Sequence, residues 1–274
     1  MKQSGTALGN FLIRMPRSVR SLRRLPLIGN ILHRLSHQVL PAEQMMWVQI
    51  EAGPARGVWF ELNPRTGWNY LSGQADARSQ SLIAERLKPG DVFYDLGANN
   101  GLFSLIASRV VGDAGKVFSF EPDHVVAARL RRNIERNGFR NVTVAEAGVW
   151  STTGNVSFIP AEDSSPDRGT GHFVATAPEN TAAGSQAGQK AFSIKCISLD
   201  DFVSNAAPPN AIKCDVEGAE VEVLIGAENM LHRSRPWILC EMHSSANDDA
   251  ARKFLSRLGY SLESLDDNHV LALP

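Results

Sequence analysis

The stretch DVFYDLGANNGLFSLIASRVVGDAGKVFSFE, residues 91–121, decides the fold. Its β-branched and aromatic residues at 92–96 predict a strand, which ends in a turn with glycines at 97 and 101. Apolar residues then recur at helical spacing, and a second apolar strand follows. A strand, a glycine turn, a helix and a second strand are typical of half of a nucleotide-binding α/β domain.

The turn is a candidate nucleoside site. Gly97 and Gly101 let the backbone approach a ligand, and the following helix begins with free N–H groups. Glu121, which closes the second strand, is placed to accept hydrogen bonds from both ribose hydroxyls of an adenine nucleoside. Asp95 precedes the first glycine and would repel a pyrophosphate but attract the ammonium and sulfonium of S-adenosylmethionine. The pattern therefore favours a methyl donor over NAD; the alternative is a tight turn without a ligand.

Length and composition indicate one large α/β domain with extensions, since the chain has 274 residues of which 43% are hydrophobic. Its cysteines, Cys196, Cys214 and Cys240, are odd in number and lack CxxC spacing, which indicates a reducing compartment and argues against a zinc site. The sequence shows neither an apolar run long enough to span a membrane nor the apolar core of a signal peptide. We therefore expect a cytoplasmic protein.

Residues 1–42 form a basic arm with seven Lys or Arg and no acid, so the rest of the chain carries −8 of the net charge of −1. A domain that acidic is a poor general binder of phosphate backbones. Leucines and isoleucines interleave with the arginines and predict one or two short amphipathic helices. Two interpretations stay open: a helical extension with a solvated basic face, or peripheral contact with anionic lipid.

Three regions follow from the pattern: the helical arm at 1–42, an extension on the substrate side at 43–80, and the donor-binding domain at 81–274. Residues 46–71 alternate apolar and polar side chains around glycines and predict a β-hairpin. The polar, aperiodic residues 160–191 predict a long loop, a candidate lid.

Further elements are predicted beyond Glu121. A helix has Pro122 early in it, and a third strand covers 141–149, with Glu146 and Ala147 where an adenine ring would lie. Asp200 is the expected N-cap of a short helix that follows a strand near 193–199.

A second acidic motif, AIKCDVEGAE at 211–220, ends a strand and enters a helix, and WILCEMH at 237–243 forms the next strand. The carboxyl ends of the strands in an open α/β sheet lie on one edge, where ligands bind. We therefore expect six side chains to converge there: Asp95, Glu121, Asp215, Glu217, Glu241 and His243.

These motifs resemble the FkbM-type S-adenosylmethionine-dependent methyltransferases over residues 80–265, through DLGANNG, FSFEP, LDDF, IKCDVEGAE and ILCEMH. The resemblance implies a doubly wound, Rossmann-like class I methyltransferase sheet of seven strands, the last antiparallel, with 269–273 as the candidate. It also implies methyl transfer to a hydroxyl of a sugar, polyketide, glycolipid or other secondary metabolite. The residues expected to bind the donor are Asp95, Gly97, Asn99, Gly101, Glu121, Glu146, Ala147 and Asp215.

The chemistry expected of the protein is modest, because the sulfonium is already activated: the site must align the reactants and remove a hydroxyl proton. His243 is the preferred general base, oriented by Glu241 or Glu217, while Asp215 faces the donor ammonium or the acceptor hydroxyl. The expected catalytic residues are thus His243, Asp215 and Glu241. A Mg²⁺ ion held by Asp215, Glu217 or Glu241 is a second hypothesis.

Two rival functions stay open. A nucleic-acid methyltransferase would use the same donor site with the basic arm as a guide, although the sequence has no Asn-Pro-Pro-aromatic motif for base flipping. A protein that keeps the fold only to bind a partner is the other; the intact turn and Glu121 argue against it.

Overall fold

The computed structural model describes residues 45–63, 67–160, 171–173 and 192–274. The described residues divide into two compact units, the first within residues 45–75 and the second within residues 76–274. The predicted helical arm lies outside the described residues, and the predicted boundaries after residues 42 and 80 stay predictions.

The described part of the smaller unit contains the predicted hairpin. Strand β1 (Met46–Gln49) pairs antiparallel with β2 (Trp59–Leu62), and each strand buries every second side chain. The hairpin prediction was too long, however, because Trp68–Leu71 form a short helix, α1, in which Leu71 N donates to Gly67 O. The ring of Tyr70 stacks on Phe60, with 5.5 Å between centroids, so the helical turn covers the apolar face of the hairpin.

The larger unit is built on a seven-stranded sheet with the order β12-β13-β11-β10-β3-β4-β5. Strand β13 is antiparallel to both neighbours, and the other pairs are parallel. The predicted α/β class, the seven strands and the antiparallel last strand are confirmed. The strands, numbered along the chain, are β3 Val92–Leu96, β4 Lys116–Phe120, β5 Val142–Ala145, β10 Ala211–Cys214, β11 Trp237–Glu241, β12 Ser261–Ser264 and β13 His269–Leu273.

Helices cover both faces of this sheet. On one face Tyr94 and Leu96 of β3 pack into a buried cluster with Val223, Leu231 and Leu255. On the other face, Asp95 of β3 and Ser119 of β4 contact Ser104 of the helix that follows the glycine turn. The larger unit's helices are α2 Ala77–Arg86, α3 Leu102–Val111, α4 His124–Arg136, α5 Leu199–Phe202, α6 Glu220–Ile225, α7 Glu228–Ser234 and α8 Ser245–Arg257.

Two details near β4 differ from prediction. Helix α4 begins at His124 and not with Pro122, because Asp123 is its N-cap and accepts hydrogen bonds from the backbone N–H groups of Val125 and Val126. The predicted third strand, 141–149, is two strands. Its first part is β5, and its last two residues form β6 in a different sheet.

The second sheet of the larger unit has four strands in the order β6-β9-β7-β8. They are β6 Gly148–Val149, β7 Gly154–Pro160, β8 Gly171–Phe173 and β9 Phe192–Ile197. Residues 171–173 thus form a strand inside the predicted loop at 160–191, and the rest of that loop beyond Pro160 lies outside the described residues. In the part of the chain that the structure describes, no helix is both long and apolar enough to cross a membrane.

Asp200 has a different role from the predicted one. Ser198 caps α5 by accepting a hydrogen bond from Asp201 N, so Asp200 is not the N-cap. Its carboxylate instead accepts from the backbone N–H groups of Asn229 and Met230, at 3.2 and 2.7 Å, and from the Asn229 side chain. Asp200 therefore caps α7 from a distant part of the chain.

Asp200→Ala should lower the free energy of unfolding by about 1–2 kcal/mol, since it removes the acceptor for two N–H groups at a helix start. Urea unfolding followed by circular dichroism measures this. Asp113→Ala, at an exposed turn position, is the control and should change stability by less than about 0.5 kcal/mol. Equal effects of the two substitutions would contradict the capping role.

Candidate functional site

The glycine turn joins β3 to α3 with three residues in the left-handed region: Gly97 at φ 73°, Asn99 at φ 49° and Gly101 at φ 90°. The N–H groups of Gly97 and Ala98 both donate to Phe120 O, which fixes the turn on the end of β4. A Cβ at Gly97 would lie 1.7 Å from the Asp215 carbonyl oxygen. Glycine is thus required there both by conformation and by the close approach of the β10 end.

Glu121 is bound to this turn. Its Oε2 accepts from Asn99 N and its Oε1 from Asp123 N, both at 2.9 Å. Burial raises the pKa of Glu121 to about 8, although the two N–H donors favour the charged form. The predicted pair of glycine turn and downstream acid is therefore one connected structure, with a carboxylate at the edge where a ribose would lie.

Asp95 is fully buried at the end of β3. Its Oδ2 accepts a 2.5 Å hydrogen bond from Ser104 Oγ of α3, and its Oδ1 has no hydrogen-bond partner among the described residues. Burial raises the pKa of Asp95, while Lys213 and Ser104 oppose that shift. A buried carboxylate oxygen that lacks a donor among the described residues calls for a partner, which a ligand's ammonium would supply.

Lys213 and Asp215 form an ion pair at the end of β10, with 2.8 Å between Lys213 Nζ and Asp215 Oδ2. Burial alone would raise the pKa of Asp215, but the Lys213 ammonium holds it below its ordinary value. The Asp215 side chain is 26% exposed, so its second oxygen faces the edge of the sheet.

His243 lies in a ring of carboxylates just beyond β11. Its Nδ1 is 2.6 Å from Glu220 Oε1, and its Nε2 is 3.5 Å from Asp215 Oδ1 and 3.4 Å from Glu217 Oε2. The hydrogen bond to Glu220 raises the pKa of His243 to about 9, and the other two carboxylates add to this. Glu220 is fully buried and also accepts from Asn247 Nδ2 and Gly218 N, so it orients the imidazole. Of the two predicted orienting residues, Glu217 lies beside Nε2, whereas the hydrogen bond that orients the ring through Nδ1 comes from Glu220, which was not predicted.

Glu241 contacts a different histidine. Its Oε2 lies 3.4 Å from His269 Nε2, while His269 Nδ1 is 2.8 Å from Asp266 Oδ1. The two carboxylates raise the pKa of His269 to about 8. Glu241 is nonetheless at the predicted edge, because β11 and β10 run parallel with Cys240 beside Cys214.

Four residues of the site were not found from the sequence: Asp76, Lys213, Glu220 and His269. Asp76, just before α2, is exposed as a residue, yet partial burial of its carboxyl group and repulsion from Glu241 raise its pKa. No sequence signal placed Asp76 or His269 there. For the other two a signal existed, since Lys213 interrupts an apolar strand and Glu220 ends the motif IKCDVEGAE.

The remaining predicted donor residues lie at the end of β5. Glu146 is exposed and forms a 2.8 Å ion pair with Arg131 of α4, while Ala147 is buried. Their place next to the β4 end is the predicted one, because Glu121 N donates to Ala145 O. Contact of either residue with an adenine ring stays a prediction.

A cation has one candidate set among the described residues. Asp215, Glu241 and His243 each offer a ligand atom, and the three atoms lie within 4.8 Å of one another. The predicted Mg²⁺ ion prefers oxygen ligands, so an imidazole in the set fits it poorly. The comparisons below give Mg²⁺ no support.

The fold and the comparisons together define a methyltransferase. The model of the methyltransferase FkbM domain matches residues 95–262, which include the glycine turn, Glu121 and the whole cluster around His243. The chain therefore belongs to the FkbM methyltransferase family, as the motifs predicted.

Known relatives are similar to parts of the chain. Hexuronic acid methyltransferase AglP of Haloferax volcanii is 34% identical over 185 residues, which cover 66% of this chain and 68% of AglP. A probable cobalt-precorrin-6B C(15)-methyltransferase of Sulfolobus acidocaldarius is 35% identical over 71 residues, 26% of this chain and 37% of its own. The crystal structure of methyltransferase FkbM from Methylobacillus flagellatus KT superposes with a TM-score of 0.49 at 21% identity, covering 75% of this chain and 46% of that chain.

Proposed function

We propose that the protein transfers a methyl group from S-adenosylmethionine to a hydroxyl oxygen of a sugar or of a sugar-containing metabolite. One observation carries this proposal: the glycine turn, bonded to Glu121 through the Asn99 N–H, lies on the same sheet edge as His243 and its carboxylates. The turn and Glu121 suit a nucleoside donor, and His243 suits removal of a proton from an acceptor.

The donor would lie across the ends of β3 and β4. Glu121 accepts hydrogen bonds from the ribose hydroxyls, using the lone pairs that its two backbone donors leave available. Asp95 Oδ1, which is buried and has no partner among the described residues, accepts from the donor ammonium. Glu146 and Ala147, at the β5 end, would contact the adenine ring. S-Adenosylmethionine, when bound, supplies the activated methyl group.

The acceptor hydroxyl would lie beside His243. The imidazole Nε2, oriented through Nδ1 by Glu220, takes the hydroxyl proton, while Asp215 Oδ1 holds the hydroxyl or the donor ammonium. Because carboxylates keep His243 protonated in the free protein up to about pH 9, the base becomes effective when the bound sulfonium lowers its pKa or when the pH is raised.

A sugar acceptor is favoured by the similarity to AglP, whose name specifies a hexuronic acid. The cluster of carboxylates at the acceptor side is also suited to accept hydrogen bonds from several hydroxyl groups. A nucleic-acid acceptor is disfavoured by the −8 charge outside the basic arm. A cytoplasmic location, and contact of residues 1–42 with a membrane surface, are further parts of this proposal.

Calorimetric titration of S-adenosylmethionine tests the donor site. Wild-type protein should bind, and Glu121→Ala should weaken binding about 10- to 100-fold, because two ribose hydroxyls each lose a hydrogen bond that contributes about 0.5–1.5 kcal/mol. Glu135→Ala, an exposed change on α4, is the control and should leave the affinity unchanged. A folded wild-type protein that binds no S-adenosylmethionine would remove the proposal.

The acceptor is sought by measuring S-adenosylhomocysteine formation with a panel of neutral sugars, glucuronic acid, sugar glycosides and glycolipids. Methylation at a hydroxyl is distinguished from methylation at a carboxylate by alkaline treatment of the product. An ester loses its methyl group as methanol under mild alkali, whereas an ether is stable. Products that are all esters would contradict transfer to a hydroxyl.

A further inference from the structure

Helix α4 reaches the glycine turn with two buried polar side chains. Arg129 Nη1 donates to Asn100 Oδ1 at 3.1 Å, and Asn133 Nδ2 donates to the Asn100 carbonyl oxygen at 2.8 Å. Arg129 is 6% exposed and Asn133 is 0% exposed. The helix also packs directly against the turn, since a Cβ at Gly101 would lie 2.2 Å from Leu130 Cδ1. Asn100 is thus held through both its side chain and its backbone.

Arg129 lies on the buried side of an amphipathic helix. Val126, Leu130 and Ile134 on that side are apolar and buried, whereas Arg131 is exposed. An apolar residue at position 129 would pack there without the desolvation cost that a buried guanidinium carries. A hydrogen bond from a charged donor is stronger than one from a neutral donor. The position therefore favours a directed hydrogen bond to the turn over apolar packing.

Asn100 follows the residue whose N–H binds Glu121. Asn99 N donates to Glu121 Oε2 at 2.9 Å, and Asn99 is in the left-handed region at φ 49°. An L residue adopts that conformation at a cost, so it persists where the surrounding structure holds it. Asn100 supplies part of that hold, because its N–H donates to Asn99 Oδ1 at 2.7 Å. Fixing Asn100 therefore fixes the N–H that Glu121 accepts.

The same helix positions the other oxygen of Glu121. Asp123, the N-cap of α4, donates its backbone N–H to Glu121 Oε1 at 2.9 Å. Both N–H groups that hold the carboxylate thus depend on α4, one directly and one through Asn100. A carboxylate held at both oxygens keeps one orientation, so its remaining lone pairs point in fixed directions.

We propose that Arg129 and Asn133 are positioning residues for the methyl donor: through Asn100 they hold the Asn99 N–H against Glu121, so that the carboxylate is oriented toward the ribose hydroxyls. This inference rests on the proposed function, in which Glu121 accepts hydrogen bonds from the ribose. Arg129 and Asn133 act on the turn and not on the donor itself. Their effect on binding therefore requires Glu121.

The test is a double-mutant cycle with Glu121→Ala, measured by calorimetric titration of S-adenosylmethionine. Arg129→Met and Asn133→Ala should each weaken binding about fivefold or more when Glu121 is present. In the Glu121→Ala background each should change the affinity by less than about twofold, because the N–H that they position has lost its acceptor. Arg140→Met, an exposed change after the end of α4, is the matched control and should alter the affinity in neither background.

Substitutions of Asn100 test the same connection from the side of the turn. Asn100→Asp keeps an acceptor for Arg129, whereas Asn100→Ala removes it. The ligand for this pair is 5′-methylthioadenosine, which carries the ribose but no charged group for the new carboxylate to attract. Asn100→Ala should bind it about fivefold or more weakly than wild type, and Asn100→Asp should stay within about twofold of wild type.

Equal losses with and without Glu121 would show that Arg129 and Asn133 only maintain the fold, and would overturn the inference, as would unchanged affinity when Glu121 is present. If circular dichroism shows that neither variant folds, the Asn100 pair decides, and equal affinities of Asn100→Ala and Asn100→Asp would overturn the positioning role. Wild-type protein that binds methylthioadenosine but no S-adenosylmethionine would remove the proposed function, while the Asn100 pair would still decide whether the turn is positioned for a nucleoside.

Discussion

Gly97→Ala is expected to lower the free energy of unfolding by about 2–5 kcal/mol, which adds about 1–2 kcal/mol for the left-handed backbone to about 1–3 kcal/mol for forced overlap. Gly97 has φ 73°, and an added Cβ would lie 1.7 Å from the Asp215 carbonyl oxygen and 2.9 Å from its carbon. Backbone atoms cannot rotate away as a side chain can. The turn or the end of β10 must therefore move.

Gly90→Ala is the matched control. Gly90 has φ 90°, but nothing lies within 4 Å of an added Cβ, so only the backbone cost of about 1–2 kcal/mol applies. Urea unfolding of both variants, followed by circular dichroism, measures the difference. Similar losses of stability would contradict the close approach of the turn to β10.

The same substitution should abolish donor binding in the folded fraction. Moving the turn changes the position of the Asn99 N–H that Glu121 accepts, and moving the β10 end changes the position of Asp215. We expect Gly97→Ala to show no saturable S-adenosylmethionine binding at a temperature where it is folded, whereas Gly90→Ala binds like wild type. Normal binding by Gly97→Ala would separate the turn from the donor site.

The parts of the fold that were predicted correctly depend on short-range patterns. The strand at 92–96, the turn and the helix after it are each determined by residues within a few positions, such as Gly97 and Gly101. The antiparallel strand at 269–273 was found through the family resemblance, since its five apolar and polar residues carry no unusual pattern of their own.

The predictions that were wrong concern places where residues far apart in the sequence determine the local structure. The strand predicted at 141–149 is divided because its end pairs with β9, about fifty positions further along the chain. Asp200 looked like a local cap, yet it binds the start of α7. Glu220 was missed as the partner of His243. It begins the helix that follows β10, whereas His243 follows β11, so the two side chains meet only in the folded chain.

His243, whose Nδ1 is hydrogen-bonded to Glu220, is the residue whose substitution should lower activity most. His243→Gln should lower kcat/KM about 10²- to 10⁴-fold at pH 9, the range expected for loss of a general base, once an acceptor is available. His232→Gln, an exposed change in the last turn of α7, should leave kcat/KM unchanged. Retention of activity by His243→Gln would assign proton removal to another group.

The pH dependence tests the role of Glu220 in the same reaction. The hydrogen bond to Glu220 raises the pKa of His243 to about 9. A base must be neutral to accept a proton, so wild-type kcat/KM for S-adenosylmethionine, which reports the free protein, should rise about tenfold per pH unit below pH 9 and level off above it. Glu220→Gln removes the main cause of the shift, so the His243 pKa falls toward the ordinary value of about 6.5 and the rise occurs at lower pH.

Titration of the histidine ring protons by NMR measures this pKa without an acceptor, with His243→Gln to assign the signal. In metal-free buffer the His243 signal should titrate near pH 9 in wild type and at lower pH in Glu220→Gln. Glu220→Gln would then have its highest activity relative to wild type at low pH, because more of its imidazole is neutral there. A His243 signal that titrates at the same pH in both proteins would show that Asp215 and Glu217, and not Glu220, control the base.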